Sequence, residues 1–552
     1  MSPVLLATAR LASVLLFALV AVLPAPSQSP ESYRGLLTAR DRADKLPPPQ
    51  HLADFIKDGK LTLSLHDAIL LTLENSSNIQ LQETNVEYQK FNLLSQFQPF
   101  DPTIQSSLNI NRYSSPTYSQ LQGVGLSAST ALNSLSQTGQ ISYSQTFTPG
   151  TNISASITSG KSSANDSYYY FNPYFTSTLN LSFTQPLLRG AGRFANTAQI
   201  KIARRSLEQS RSSFEAEVND AILNVVSQYW NAVQARGALD VNQKSFKLAE
   251  ASYDRDKRSL ELGALPPLDI YRSQSEVAAR KVGVIQAQYA LTVAEESLRL
   301  TIGADRDPQA GALELNLTEK PQTDAALENV DEQTALTQAL SQRPELSAVQ
   351  NALANDVTSI RLAHNQLEPN LQLQGFYQSS GLGGNQYNLT SGQLIAPGGF
   401  GSSMSQLFGF GFPGYGGTLS LTLPVRNHAG QAALGSALVS RTHDLTSSGQ
   451  IREAITQEVR NAVHQLEEAR LALSAGQASF DLAQKTLASE QRKFELGAET
   501  NFFVLDAQTR VAQAELILLQ TQINYRVALA AVGHSTGDLL VPYHVQITGL
   551  SH

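Results

Sequence analysis

The chain has 552 residues, of which 41% are hydrophobic and 16% charged, and its formal net charge is -7. This composition is typical of folded protein, and the length exceeds what one compact core accommodates, which predicts two domains or one repeated, elongated architecture. A mildly acidic chain offers no basic surface for neutralising phosphates, so we expect no nucleic acid partner. Cysteine is absent, which excludes disulfides, thiolate metal sites and a lipid-modified cysteine.

The N-terminus has the pattern of an export signal. Arg10 precedes an apolar run at 11–23, and small residues and prolines follow it. We predict a signal peptide at 1–29, cleaved between Ala25 and Ser29, because a run of 13 residues is short for a membrane anchor. Residues 30–60 then form a proline-containing extension. No later segment is apolar for long enough to span a membrane as a helix, so any membrane attachment must come from strands.

The remainder of the chain contains the same series of signals twice. We assign a first repeat to 61–303, a linker to 304–331, a second repeat to 332–534 and a tail to 535–552. Each repeat is predicted to contain a helix, a strand, a loop, a strand, a long helix, a helical tip and a last helix. The strands with their outer loops lie at about 101–190 and 369–427, and the tips at about 262–269 and 496–503.

Apolar residues recur every seven positions along the long helices. In the first repeat these are Val218, Val225, Ala232, Leu239, Phe246, Tyr253 and Leu260. Such a period keeps one seam against a partner helix, so we expect antiparallel hairpins packed as coiled coils. The long helices, predicted at 194–262 and 428–496, would each be roughly 100 Å long. In each half, two short helices laid end to end match one long helix: 61–97 with 268–302, and 332–367 with 501–533.

The strand candidates alternate between apolar and polar residues. Ile104, Leu108 and Ile110 share one side of the first strand, and Gln105 and Asn109 share the other. This pattern fits either a sheet that caps a core or the wall of an outer-membrane barrel with a wet lumen. Two strands per half give four per chain, too few to surround a pore, so a barrel would have to be shared by several chains.

The segments between the strands leave two questions open. Residues 140–148 and 152–158 predict an additional hairpin around Pro149-Gly150, which either extends a rim or adds strands to the barrel. The segments 167–175 and 399–417 are rich in glycine, serine and aromatic residues, and are either mobile surface loops or outward loops that narrow or plug a duct.

Motifs that resemble catalytic or binding sites lack the context that their chemistry needs. No helix follows Gly160-Lys161-Ser162, and Pro413 interrupts the glycine series at 409–414, so neither predicts a nucleotide site. No histidine or acidic pair has the spacing of metal ligands. We find no convergent catalytic group and expect no enzyme activity, no cofactor and no metal.

The duplicated plan and three motifs resemble the TolC family of outer-membrane efflux proteins over about residues 61–534. The motifs are QPLLRGAG at 185–192, LELGALPPLDIY at 260–271 and FELGAETNFFVLDAQ at 494–508. The resemblance implies a homotrimer in outer-membrane lipid, in which four strands per chain build a 12-stranded β-barrel that continues into a periplasmic α-helical barrel. It also implies that the tips dock onto a periplasmic adaptor protein and an inner-membrane transporter.

The resemblance also assigns roles to tip residues by position. It implies adaptor docking at Leu262, Gly263, Leu496 and Gly497. It implies acidic residues that close the periplasmic entrance and attract cations at Asp269 and Asp506. Glu499 and Phe503 are further entrance candidates that depart from the family pattern, since a basic lock residue and an acidic residue often occupy these positions. Phe494 likewise replaces a tyrosine. A closed-state latch is therefore undecided, and we expect any cation block to depend mainly on Asp506.

These observations favour a passive exit duct of a tripartite efflux system for small molecules. The exit channel of a type I protein-secretion system remains an alternative, because the pump largely selects the substrate. A trimeric coiled-coil tether or adhesin in the periplasm is a different class, and the turns predicted at Gly263 and Gly497 speak against it.

Overall fold

The computed structural model describes residues 51–116, 131–165, 170–263, 267–307, 311, 313–321, 329–388, 391, 393–543 and 545. The predicted signal peptide at 1–29 lies outside the described residues, as do most of the 30–60 extension and the end of the tail. The same holds for parts of the segments at 304–331 and 167–175.

Groups of helices and groups of strands follow one another along the chain. The described helices are α1 (Leu65–Asn75), α2 (Ser77–Ser95), α3 (Gly192–Glu261), α4 (Pro267–Thr301), α5 (Glu332–Gln342), α6 (Pro344–Leu367), α7 (Phe400–Phe408), α8 (His428–Glu495) and α9 (Asn501–Thr536). The described strands are β1 (Ile56–Lys57), β2 (Lys60–Leu63), β3 (Thr103–Ser115), β4 (Leu132–Thr146), β5 (Asn152–Ala164), β6 (Phe171–Pro186), β7 (Glu314–Leu317), β8 (Asn370–Tyr387), β9 (Leu394–Ala396) and β10 (Pro413–Thr422).

The long helices agree with the sequence prediction, whereas two of the short ones are interrupted. α3 has 70 residues and α8 has 68. The helix predicted over 61–97 is wrong in detail, because β2 precedes it and Ser76, with extended backbone, separates α1 from α2. The helix predicted over 332–367 breaks at Arg343, whose backbone is extended because Pro344 follows it.

The chain divides into two compact units. We call the first the sheet unit; its described residues lie within 91–204 and 355–441. It contains an antiparallel sheet of seven strands in the order β10-β8-β6-β5-β4-β3, with the short β9 paired to β8. Each neighbouring pair along this order is antiparallel.

The hairpin that the sequence left open, β4–β5, is part of this sheet, and the prediction of four strands per chain is therefore wrong. β4 and β5 lie between β3 and β6, so the hairpin adds strands to the sheet and does not extend a rim. The connecting turn lies beside the first turn of α3, where Gly192 N donates to Pro149 O at 3.0 Å. Gly150, with φ of 92°, packs so closely there that a Cβ would lie 2.8 Å from Gly190 O. The described sheet thus has six long strands.

The sheet has two chemically distinct faces, because side chains alternate along each strand and the registers align them. We define the apolar face by Ile104, Leu108, Ile110, Ile141, Tyr143, Ile153, Ile157, Leu179, Leu181, Phe183, Leu371, Leu373, Tyr377, Tyr415, Leu419 and Leu421, with polar exceptions that include Ser106, Gln137, Lys161, Ser177 and Ser379. We define the polar face by Gln105, Ser107, Asn109, Thr138, Gln140, Ser142, Ser154, Ser156, Thr158, Thr178, Asn180, Ser182, Gln372, Gln374, Gln378, Thr418 and Ser420, with Phe376 as an apolar exception.

The segment predicted as a glycine-rich loop at 399–417 contains the helix α7, which packs on the apolar face of β6 and β8. Ser403 Oγ lies 2.9 Å from Ser177 Oγ, and Ser379 Oγ donates to Leu407 O at 2.9 Å. Gly381 permits this approach, since a Cβ at that position would lie 1.9 Å from Ser403 O. The sequence did not indicate this helix because it contains a glycine and three serines, which have low helix propensity.

The second unit, which we call the helical unit, has described residues within 51–90, 205–354 and 442–545. Its largest core surrounds Tyr229 and Trp230 of α3, together with buried leucines of β2 and β7. β2 pairs with β1 in antiparallel and with β7 in parallel orientation, a small sheet that the sequence did not predict. Tyr229 Oη donates to Leu63 O at 3.2 Å, which ties α3 to this sheet. Burial raises the pKa of Tyr229 to about 12.

A charged cluster also lies in the helical unit, around the buried side chains of His534 and Arg343. His534 Nε2 lies 2.6 Å from Asp220 Oδ1, and its Nδ1 lies 2.9 Å from Glu458 Oε1. Arg343 contributes a bond to Glu458 at 3.1 Å. Burial alone would lower the pKa of His534, but the bonds to Asp220 and Glu458 raise that pKa to about 9. Burial likewise opposes the charge of Glu458, yet hydrogen bonds from His534 and Arg343 lower its pKa to about 2.

No described helix combines the length and the apolar character needed to cross a membrane.

Candidate functional site: the helical hairpin tips

The first tip connects α3 to α4 and exposes the residues that the resemblance assigns to docking. The α3 helix ends after Glu261, and Gly263 N donates to Leu260 O at 2.9 Å. Gly263 has a φ of 73°, in the left-handed region that favours glycine, and no atom lies near the position of a Cβ. The side chain of Leu262 is 84% exposed. Asp269 belongs to the first turn of α4, and its side chain lies outside the described part of the chain.

The second tip, between α8 and α9, has the same local geometry. Gly497 N donates to Phe494 O at 3.0 Å, and Gly497 has a φ of 71° with open space at its Cβ position. Leu496 is 73% exposed. Each tip therefore presents one solvent-exposed leucine directly before a glycine that no side chain of the described residues covers.

The entrance candidates of the second tip are all engaged with neighbouring side chains. Glu499 Oε1 accepts a hydrogen bond of 3.2 Å from Lys493 Nζ. Phe503 packs edge-on against Phe502 with ring centroids 5.3 Å apart. Asp506 Oδ2 accepts from Arg510 Nε at 2.8 Å. An arginine one helical turn away therefore partly neutralises the acid on which a cation block was expected to depend.

Sequence reasoning missed a polar cluster that joins the two tips. Asn501, the first residue of α9, donates through Nδ2 to both side-chain oxygens of Asp256, each at 3.0 Å, and to Ser252 Oγ at 3.0 Å. Ser273 of α4 also donates to Asp256. Asp256 is 7% exposed and Ser273 4%. We call Ser252, Asp256, Ser273 and Asn501 the tip cluster.

The signal for this cluster was the heptad series itself. Asp256 lies three residues after Tyr253, at the second core-facing position of the heptad, where an apolar residue is usual. An acidic residue at such a position needs hydrogen-bond donors around it, because an unpaired buried polar group is costly. The sequence could not identify the donors, since Asn501 is 245 residues away along the chain.

Two arginines strengthen the contact between the tips. Arg255 donates to Asn501 Oδ1 at 2.5 Å and lies over the ring of Phe494, 5.0 Å from its centroid. Arg272 lies 5.4 Å from the centroid of Phe502. These cation–π contacts involve two aromatic residues of the second tip, one of which replaces the family's tyrosine.

Among the described residues, no group of three or more histidine or acidic side chains is arranged to hold a metal ion.

Comparisons with known proteins identify the family. The sequence profile of the family described as "Outer membrane efflux protein" matches residues 142–304 and 335–538. Outer membrane protein TolC of Vibrio cholerae is 22% identical over 361 residues, which cover 65% of this chain and 76% of that protein. The toluene efflux pump outer membrane protein TtgC of Pseudomonas putida is 24% identical over 364 residues, covering 63% of this chain and 66% of that protein.

The fold agrees with this result. The CmeC outer membrane channel of Campylobacter jejuni superposes with a TM-score of 0.58 at 16% sequence identity, over 94% of this chain and 93% of that one. The mainly helical architecture with a sheet is thus that of TolC-type channels. The chain belongs to the outer membrane efflux protein family and is a protein of the outer membrane.

Proposed function

We propose that this protein is the outer-membrane exit duct of a tripartite efflux system. Three copies share one β-barrel in the outer membrane and continue into a periplasmic helical barrel. Small molecules pass passively from an inner-membrane transporter and a periplasmic adaptor to the exterior. The duct performs no chemistry, which agrees with the absence of a convergent catalytic group in the sequence.

The observation that carries this proposal is the separation of the sheet into an apolar and a polar face. The apolar face extends along β3 from Ile104 to Ile110, about 20 Å at the usual rise of a strand. Outer-membrane barrels present an apolar band of about 25 Å to lipid and polar residues to a wet lumen. The apolar residues of the outermost strands are exposed in the single chain, such as Leu108 at 71% and Leu419 at 64%. Lipid on this face would cover them.

The tips supply the second part of the argument. An exposed leucine next to an uncovered glycine forms a small apolar contact site, and the chain has two of them, at Leu262-Gly263 and Leu496-Gly497. Such sites suit the docking of helical ends of an adaptor. The tip cluster holds the two tips together and is the candidate for the closed-state latch that the sequence left undecided.

Two alternatives differ in cargo or in class. The exit channel of a type I secretion system would use the same duct, and the small-molecule reading rests on relatives such as the toluene efflux protein of Pseudomonas putida. A periplasmic tether would need long parallel helices without reversals, whereas α3 and α4 reverse at Gly263.

The test is single-channel conductance of the purified protein in planar bilayers, with its mass in detergent measured in parallel. We expect a trimer with a defined conductance that divalent cations reduce from the tip side. A monomer, or a trimer that never inserts, would contradict the proposal and favour the tether.

A further inference from the structure

We infer that the β4–β5 hairpin forms part of the duct wall, so that three copies close a ring of eighteen long strands instead of the twelve implied by the family resemblance. This inference rests on the proposed function, because it takes the trimeric duct as given. It concerns the width of the outlet and the edges by which the copies pair.

The first step is that the hairpin spans the full height of the sheet. β4 has 15 residues and β5 has 13, beside 13 in β3 and 16 in β6. Pairing is continuous in all three junctions, without a bulge in β3–β4, β4–β5 or the β5–β6 pair. The turn lies where the strands meet the helices, as the bond from Gly192 N to Pro149 O shows. A rim extension would instead begin at the opposite end.

The second step is that the hairpin carries both faces of the wall in register. Ile141 of β4 is aligned with Ile157 of β5, which in turn is aligned with Leu179 of β6. On the other face, Gln140, Thr158 and Thr178 form the corresponding row. A flap surrounded by water would not need one apolar and one polar side in register with its neighbours, whereas a wall between lipid and a wet lumen requires it.

The third step concerns the free edges. Within the described sheet, β3 and β10 are the outermost strands, and each pairs on one side only. Long exposed edges are a liability unless another strand pairs with them. A second copy supplies that strand: β3 and β10 have their apolar residues on the same face, so pairing β3 to the neighbour's β10 continues the apolar face. Because each copy contributes an even number of long strands, antiparallel alternation is preserved across this junction.

The consequence is a wider outlet. Barrel diameter grows roughly in proportion to strand number, so eighteen strands give about one and a half times the diameter of twelve. Rings of 16 to 18 strands leave an open aqueous channel. The outlet would then not limit the size of the cargo, and selection by size would occur at the helical tips.

Disulfide trapping tests the ring directly, because the natural chain contains no cysteine. The variant Asn109→Cys/Thr138→Cys joins partners on β3 and β4. The matched variant Asn109→Cys/Thr176→Cys joins β3 to β6 within the same row across the sheet. These two strands lie about 14 Å apart with the hairpin in place and become neighbours only if it leaves the wall. In bilayer-inserted trimers we expect the first pair to oxidise and the second to remain reduced; the reverse result overturns the inference.

Closure between copies has its own variants. Asn109→Cys is combined in turn with a cysteine at Thr418, Ser420 or Thr422 of β10. At least one combination should give a covalent trimer on a denaturing gel. If none does while the trimer conducts, the copies do not pair through these edges and the inference fails, although the proposed function stands.

The width is measured by adding polyethylene glycols of increasing size to the outer side and recording the size at which they cease to alter conductance. Deleting residues 132–164 leaves β3 to pair with β6, a twelve-stranded ring, and should lower that size limit. An equal limit for both proteins contradicts the inference. If the deletion variant does not assemble, the disulfide pairs in the full chain decide. Failure of the unaltered chain to insert would instead contradict the proposed function.

Discussion

The sheet unit and the helical unit place their polar groups differently. In the sheet unit, most polar side chains lie on one face and most apolar ones on the other, and strands such as β3 have both faces exposed in the single chain. In the helical unit, polar groups form clusters around buried side chains, such as His534 with Asp220 and Glu458, or the tip cluster. The sheet unit thus depends on its surroundings for stability, and the helical unit depends on contacts within the chain.

The largest expected effect in this comparison comes from His534. With hydrogen bonds to Asp220 and Glu458, both ring nitrogens must donate, which requires the protonated imidazole. A folded pKa of about 9 against an ordinary value of 6.5 means that the added stability is complete below pH 6.5 and is lost as the pH rises through 9. We expect His534→Gln to lower the free energy of unfolding by about 3 kcal/mol at pH 6 and by much less at pH 10.

The measurement is the midpoint of thermal or denaturant unfolding of this variant at pH 6 and at pH 10. His443→Gln is the matched control, because His443 forms its ion pair with Asp444 at an exposed position. The unfolding midpoints of His534→Gln and the unaltered protein should approach each other as the pH rises. A difference between them that stays constant would contradict this explanation. On the acid side, the contribution of Glu458 should be present above pH 4.5 and be lost as the pH falls through about 2.

A smaller effect is expected in the sheet unit from Gly381→Ala. The added Cβ would lie 1.9 Å from Ser403 O, so α7 must move away from the sheet, at a cost of about 1–3 kcal/mol. Gly401→Ala is the control, since nothing lies near its Cβ position. Hydrogen exchange at 400–408 should accelerate in the first variant only. Equal protection in both would mean that α7 does not depend on this close approach.

The variant Asp256→Ala should lower the free energy of unfolding by about 1–3 kcal/mol, because Asn501 and Ser273 of the tip cluster lose a buried acceptor. We expect faster hydrogen exchange at the start of α9 and more frequent channel opening. Asp254→Ala, at an exposed position two residues away, serves as the control. Opening at the same frequency in both variants would exclude a latch at this cluster.

The smallest effect is expected for Asp506→Asn. Asp506 is bonded to Arg510, and its side chain is 43% exposed, so its loss should weaken block by divalent cations only about two- to fivefold. Asp481→Asn, at an exposed acid of α8, should leave the block unchanged. Unchanged block in Asp506→Asn itself would show that this acid does not hold the blocking ion.

Periodicity in the sequence was sufficient to predict the elements but not their neighbours. Seven-residue spacing gave the long helices to within a few residues, and alternation gave the two faces of β3 and β6. Alternation cannot say which strand pairs with which, so β4 and β5 were recognised as a hairpin while their place, at a rim or in the wall, was left open. Pro344 was a local signal for the break at Arg343, and the prediction of one continuous helix over 332–367 did not use it.

The buried clusters were beyond the sequence for a different reason. Asp220 and His534 are 314 residues apart along the chain, and neither has a distinctive local pattern. The tip glycines were predictable because a left-handed residue that ends a helix is a local requirement, and Gly263 and Gly497 meet it. Local geometry could therefore be inferred from sequence, whereas pairing between distant polar groups needed the fold.

The position of α7 bears on how the mouth of the duct meets the membrane. The helix covers Ser177 and Ser379 on the apolar face, while Thr176 on the polar face remains exposed. This segment therefore does not cover the polar face of β6 and β8, as a plug of the lumen would. The exposed rings of Phe408, Phe410 and Phe412, at 60%, 52% and 62%, follow on the same chain segment. Aromatic rings favour the boundary between lipid tails and headgroups, so they would fix the depth at which each subunit sits in the bilayer.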